Sequence, residues 1–382
     1  MIGGGIYALL GKVTSESGVY APWSMLIAGL AALITALSFA ELAARYPKSG
    51  GSAFYISTAF NSKLTGAFFG WLVIATGVVS AATLTVAASK FIFELAAIPE
   101  PVGQIFVVSI LCLIACWGVT QSVVVVAFIT LVEISGLIFV IVINSDSLAN
   151  VATALPSAEL GIWLGIFSGS ILAFYAFIGF EDMVTLAEEV KDAKRVLPIS
   201  IVVSILITLA LYILVSLVAV NSQVFSSLGD SHSPMASLVS KKTYIPPTVM
   251  TLISLMAGFN GALVQVVMAS RMLYGMAGEG QAPTVFYHVF SKTQTPVYST
   301  LAAGSIVLGL TYLFDLTTLA KLTSIIILFV FTAVNAALLK VKLDNKKDKT
   351  QLSIFLMPVY FPLIGIIVSL LLFGFALWAV SK

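Results

Sequence analysis

The chain has 382 residues, of which 59% are apolar and only 9% charged, against roughly 45–50% and about 25% in ordinary soluble domains. No water-soluble fold hides that much apolar surface, so the lipid bilayer is the expected solvent; the formal net charge of +2 singles out no nucleic-acid partner. His232 and His288 fall in loops on opposite sides, and Cys112 and Cys116, four apart on one helix face, match no metal or redox spacing and read as buried apolar residues. With no nucleophile–base pair and no metal cluster, neither an enzyme nor a cofactor is expected.

The first element, residues 2–10, reaches about 15 Å as a helix, half of a roughly 30 Å hydrocarbon core. It reads as part of a helix and not as a signal peptide, because it lacks a charged start and a small-residue cleavage site. Ten full spans follow, at 21–44, 64–89, 103–119, 122–144, 161–185, 197–220, 248–274, 296–314, 316–339 and 353–380. With the loop after Ala44 inside, 13 of the 19 Lys and Arg residues fall on the inner side, which fixes the orientation by the excess of positive charge in cytoplasmic loops. The half-span and four spans make five units (1–144), five more run over 161–339, and one extra helix (353–380) ends the single transmembrane domain.

Both sets of five open on a glycine-bearing interruption: Ile2-Gly3-Gly4-Gly5-Ile6-Tyr7 in the first, and Phe174-Tyr175-Ala176-Phe177-Ile178-Gly179-Phe180-Glu181 in the second. Interrupted helices in corresponding positions of two halves point to a binding site near the bilayer midplane. An unwound stretch frees backbone groups that hydrocarbon cannot satisfy. A zwitterion can satisfy them, with its carboxylate at half-helix N–H groups and its ammonium at free carbonyls. Gly66 with Gly70, and Gly161, Gly165 and Gly169, read instead as packing glycines at four-residue spacing.

These residues resemble the amino acid/polyamine/organocation superfamily, particularly bacterial permeases related to cationic amino-acid transporters. The likeness extends to Ser38-Phe39-Ala40-Glu41-Leu42 with Pro47-Lys48-Ser49-Gly50-Gly51-Ser52, to Ala187-Glu188-Glu189 running on to Pro198, and to Ser270-Arg271-Met272-Leu273-Tyr274-Gly275 with Gly280 and Pro283. It implies an all-α membrane fold built as a five-plus-five inverted repeat with broken first and sixth helices. It also implies secondary active, proton-coupled transport of L-amino acids by alternating access in a plasma (inner) membrane. The substrate site carried over comprises the N–H groups around Gly3, Gly4 and Gly5 for the carboxylate, carbonyls of Tyr175 and Ile178 with Ile2 or Met1 of the first helix for the ammonium, and Gly179, with the rings of Tyr175, Phe177 and Phe180 lining the pocket or simply packing.

Three carboxylates lie within the spans, where an uncompensated charge costs several kcal/mol. Glu133, in mid-span, is a coupling candidate that carries a proton or completes a sodium site. Glu181, directly after the second interruption, is a second coupling candidate. Glu41, at a helix end, reads as structural. Relative to the superfamily the first helix lacks its cytoplasmic half, so the sequence is expected to be truncated at its N-terminus, and a transport-inactive amino-acid sensor or subunit of the same fold is the alternative function. A small or neutral amino acid is the expected substrate.

Overall fold

The computed structural model describes residues 1–48, 50–118, 123–149, 155–240, 242–344 and 355–380. Ser49 of the quoted motif, Lys241, Lys382, the basic residues at 346–349 and the expected span ends at 119, 122 and 353 lie outside them. Fourteen α-helices occur among the described residues: α1 Gly4–Ser17, α2 Ala21–Arg45, α3 Gly51–Phe60, α4 Lys63–Ala96, α5 Glu100–Trp117, α6 Val123–Ile143, α7 Ser145–Ala149, α8 Leu160–Phe177, α9 Ala193–Val220, α10 Pro234–Val239, α11 Pro247–Gly278, α12 Val297–Leu313, α13 Leu316–Asp344 and α14 Tyr360–Val380. Eight segments are long and apolar enough to cross a membrane, α1 and α2 counting as one, and the apolar stretches Ala127–Ile143 of α6 and α12 are shorter. These ten account for the ten expected spans.

Boundaries moved where polar residues interrupt an apolar run. The first element extends past residue 10 to Ser17 and passes through a 3-10 turn at Gly18–Tyr20 into α2. Lys12, Thr14, Ser15 and Ser17 stop a hydropathy scan, yet each finds a carbonyl: Lys12 donates to Gly229 at 2.7 Å, and the three hydroxyls donate to Gly11 or Val13 one turn back. Polar side chains that bond along or across the helix do not end it. The last helix begins at Tyr360, later than expected. Cys112 and Cys116 are only partly buried, because α5 keeps one face on the bundle surface; Cys112 fits against Gly304, where a β-carbon would stand 2.2 Å from its sulfur.

Short α3 lies between α2 and α4 and is turned by Asn61, which adopts the left-handed conformation at φ 48, and by Ser62, whose hydroxyl accepts the Thr65 N–H at the start of α4. It packs on α4, on α13 and on the 3-10 segment Glu181–Leu186. In the long-range packing α1 lies on α8, α2 on α9, α4 on α11 and α5 on α12. Glycines allow several of these contacts. Gly165 faces the Glu16 carbonyl, Gly169 faces Ser24 and Ser17, Gly66 faces Ser57 and Gly70 faces Met276, whereas Gly161 faces open space.

Two buried polar knots fix α13. Asn335 accepts the Ser38 hydroxyl at 2.7 Å and donates to Thr35, tying α13 to α2. Nearer the inner end, Glu41 has a wholly buried side chain and pairs with Arg45 at 2.7 Å and Lys342 at 2.6 Å, while accepting the Met357 N–H at 2.9 Å. Its expected structural role is what this geometry describes. Removing one partner of a buried ion cluster leaves the remaining charges uncompensated, at a cost of about 3–5 kcal/mol. Glu41→Ala is therefore expected to lower the unfolding free energy in micelles by about that amount; a change below about 1 kcal/mol, the size of an exposed pair, would mean the cluster is solvated.

Candidate functional site: a helix start, a helix break and an inner cavity

Helix α8 stops at Phe177. Ile178 is extended, Gly179 takes φ 120, and the chain resumes as the 3-10 segment Glu181–Leu186. At that φ a β-carbon is strongly disfavoured, so the turn requires glycine there. Glu181 fastens it: its carboxylate Oε2 accepts the Gly179 N–H at 2.8 Å. Met1, ahead of α1, lies against the same glycine, its nitrogen 3.5 Å from where a β-carbon would be. The start of α1 and the end of α8 thus meet inside the bundle. The first N–H groups of a helix have no partner within it, and α1 begins at Gly4.

The three consecutive glycines have different surroundings. Gly4 touches the backbone of Gly258 on α11 and the Leu84 side chain, and Gly5 abuts Ala176 and Tyr175 on α8. Gly3 is extended, at φ −176, and nothing stands within 4 Å of its missing β-carbon. Gly4 and Gly5 bring helices together, and Gly3 is the one that borders open space.

The aromatic residues beside the second break are packed. The Tyr175 hydroxyl bonds to Ser80 of α4, at 3.1 Å to the side chain and 3.2 Å to the carbonyl, while the Tyr175 carbonyl accepts the Ile178 N–H at 3.2 Å. Phe177 packs on Tyr212 with ring centres 5.1 Å apart, and Phe180 packs edge-on against Phe39 and tilted against Phe331. All three side chains are buried.

A cavity of about 660 Å³ opens from the break toward the side bearing the basic loops; Met1, Gly179, Glu181 and Asp182 stand at its wall, with parts of α3, α4 and α11. Of the sequence-predicted site residues, Gly179 and Glu181 line it. The others do not line it: Ile2 and Gly3 precede α1, Gly4 and Gly5 lie in its first turn, Tyr175 and Phe177 end α8, and Ile178 and Phe180 flank Gly179 in the break. Sequence reasoning passed over Asp182 and Gln265, which meet at this wall, Gln265 Nε2 donating to Asp182 Oδ2 at 3.3 Å. A polar residue inside an apolar span was the available signal for Gln265.

Glu133 stands apart, on α6, with 1% exposure. Its own carbonyl accepts the Tyr7 hydroxyl, which ties α6 to α1. Neither carboxylate oxygen meets the geometry of a hydrogen bond, and the Asn260 amide and the Tyr212 ring stand close to it. On the opposite side of the break from the cavity, Glu16 of α1 pairs with Lys321 of α13 at 2.7 Å and accepts the Ser168 hydroxyl of α8 at 2.7 Å. This clamp, with α10 and its preceding loop laid over α1, lies at the end of the bundle away from the cavity.

Comparison with known proteins agrees with this architecture. The model of the amino acid permease family matches residues 1–381. The chain is 30% identical over 378 residues to cationic amino acid transporter 3, mitochondrial, of Arabidopsis thaliana, covering 92% of this chain and 61% of that protein. It is 26% identical over 382 residues to human cationic amino acid transporter 4, covering 92% and 59%. An uncharacterized transporter of Mycobacterium tuberculosis is 26% identical over 378 residues, covering 96% and 81%. The chain spans about 60% of the length of the plant and human relatives, and each of these relatives is named a transporter, none an enzyme. The chain is an integral, multi-pass membrane protein, and it belongs to the amino acid permease family.

Proposed function

We propose that this chain carries L-amino acids across the membrane as a secondary active transporter, by alternating access and with proton coupling, in a plasma membrane. The observation that carries the reading is the meeting in mid-bundle of the start of α1, which has no side-chain cap, with the Ile178–Gly179 turn that breaks the chain after α8. The substrate carboxylate sits at the N–H groups around Gly3, Gly4 and Gly5, and its ammonium at the carbonyls of Tyr175 and Ile178. The packing of each unit on its counterpart, α1 on α8, α2 on α9, α4 on α11 and α5 on α12, supports an inverted repeat of 1–144 and 161–339. An outer end clamped by Glu16, Lys321 and Ser168, with a cavity open at the other end, supports an inward-facing stage of the cycle. Glu133 carries the coupling proton, and Glu181 holds the break.

The test is uptake of labelled L-amino acids into proteoliposomes under an imposed pH gradient. Accumulation above the external concentration, lost when the gradient is collapsed, is the expected result. Substrate binding without any accumulation would instead favour a sensor or a subunit of the same fold.

A further inference from the structure

We propose that Tyr212 links substrate binding to the proton on Glu133, its one hydroxyl serving both that carboxyl and the substrate carboxylate. This rests on the carboxylate sitting at the N–H groups around Gly3 and on Glu133 carrying the coupling proton. Four helices converge on the place. Tyr212 of α9 is wholly buried, and its ring centre lies 5.1 Å from that of Phe177, the last residue of α8. Its hydroxyl stands beside the Gly3 N–H, just ahead of α1. Glu133 of α6 is held to the same end of α1 by the Tyr7 hydroxyl, which donates to its carbonyl, and its carboxylate stands close to the Tyr212 ring.

The polar groups gathered there are unsatisfied. Neither Glu133 oxygen nor the Tyr212 hydroxyl meets the geometry of a hydrogen bond, and the two side chains are 1% and 0% exposed. Buried polar atoms without partners are costly, so a ligand group that completes their bonds is favoured. Gly3 borders open space, with nothing within 4 Å of its missing β-carbon, so a carboxylate at its N–H comes alongside the Tyr212 hydroxyl. That hydroxyl has one hydrogen to donate and lone pairs to accept with. With Glu133 ionised, two carboxylates compete for the one hydrogen and repel each other in a medium of low polarity. With Glu133 protonated, its O–H donates to the Tyr212 oxygen, and the Tyr212 O–H donates on to the substrate. The row carboxyl, phenol, carboxylate then holds one hydrogen in each gap and a single negative charge. Substrate binding thus takes one proton from solution onto Glu133, and no covalent bond to carbon changes.

The other groups that face Glu133 do not make this link. Asn260 of α11 adjoins the carboxyl, but a neutral amide both donates and accepts and serves either state. Tyr7 of α1 commits its hydroxyl to the Glu133 carbonyl. The Met1 ammonium acts on Glu133, Glu181 and Asp182 together and singles out none of them. Among the shorter helices packed on α6, α10 carries no titratable side chain, and Asp146 of α7 pairs with Lys242.

The experiment measures equilibrium binding of L-alanine, or of L-arginine where alanine is not held, to the full chain in lipid nanodiscs, with proton uptake followed by an indicator in weak buffer. The range is about pH 5 to 7.5, where neither ligand changes its charge. The unaltered chain is expected to take up protons on binding, at most one per substrate, so that Kd rises with pH by up to about tenfold per unit. Tyr212→Phe keeps the ring against Phe177 and removes only the hydroxyl. It is expected to bind about tenfold more weakly at the acid end, with a Kd that no longer follows pH and with no proton uptake. A Tyr212→Phe chain that keeps the pH-dependent Kd and the uptake overturns the proposal, as does a folded one that binds nothing. Should Tyr212→Phe not fold, 3-fluorotyrosine at 212, a stronger donor of nearly the same shape, must move the pH profile, and an unmoved profile overturns the proposal. Proton uptake that survives Glu133→Gln places the proton carrier elsewhere and removes the link with it. If the unaltered chain binds neither ligand, the amino-acid site itself has failed, and the link falls too.

Discussion

Glu133→Gln is expected to give a folded protein whose uptake no longer responds to a pH gradient. The carboxyl is 1% exposed and neither oxygen meets the geometry of a hydrogen bond. An ion in such surroundings costs several kcal/mol unless a proton or a cation accompanies it. Glutamine preserves size and polarity but cannot exchange a proton. One pH unit supplies about 1.4 kcal/mol, or about tenfold accumulation for one proton per substrate. The variant is expected to equilibrate its substrate and stop there, which steady-state accumulation at several imposed gradients will read. Unchanged pH dependence would remove Glu133 as the proton carrier, and a response that follows sodium instead would make the same residue part of a cation site.

Gly179→Ala is expected to be nearly as damaging for a different reason. Open space surrounds the position apart from Met1 and Asp182, so the added methyl meets no severe clash. The cost comes from the backbone, because φ 120 is held by an L-residue only at about 1–3 kcal/mol. The strained turn would relax and release the Gly179 N–H from Glu181. If the turn binds substrate, a cost of that size lowers the initial rate of uptake by about one to two orders of magnitude, measured per amount of protein inserted in the membrane. A normal rate would move the substrate site away from the second break.

The sequence made the helical elements legible because hydrocarbon forces satisfied backbones and long apolar runs, and the second interruption was legible because Gly179 sits between apolar aromatics in an otherwise continuous span. The surroundings of each glycine were not legible. Gly4 and Gly5 read like Gly3 in sequence, but their neighbours, Gly258 and Ala176, lie 254 and 171 residues further along the chain. Tyr175, Phe177 and Phe180 were candidates for lining a pocket or for packing, and the decision depended on partners in α2, α4, α9 and α13 that no local pattern announces. Attention to carboxylates inside spans found Glu133 and Glu181. It missed the neutral Asn260 and Gln265, and it missed Asp182.

The contact between Gly4 and Gly258 has a mechanical consequence. Two helices that meet through side chains interlock, ridge into groove, and cannot shift without unpacking. Where α1 and α11 touch, a β-carbon on Gly4 would come within 2.7 Å of the Gly258 Cα, so the surfaces in contact are bare backbone. Such a joint is a bearing: α1 can tilt about it with its first turn held at a fixed depth, and the motion disturbs few rotamers. A methyl group on Gly4 would wedge the bearing open, whereas one on Gly258 would face Leu84, Ala88 and Phe91 of α4 at ordinary contact distance.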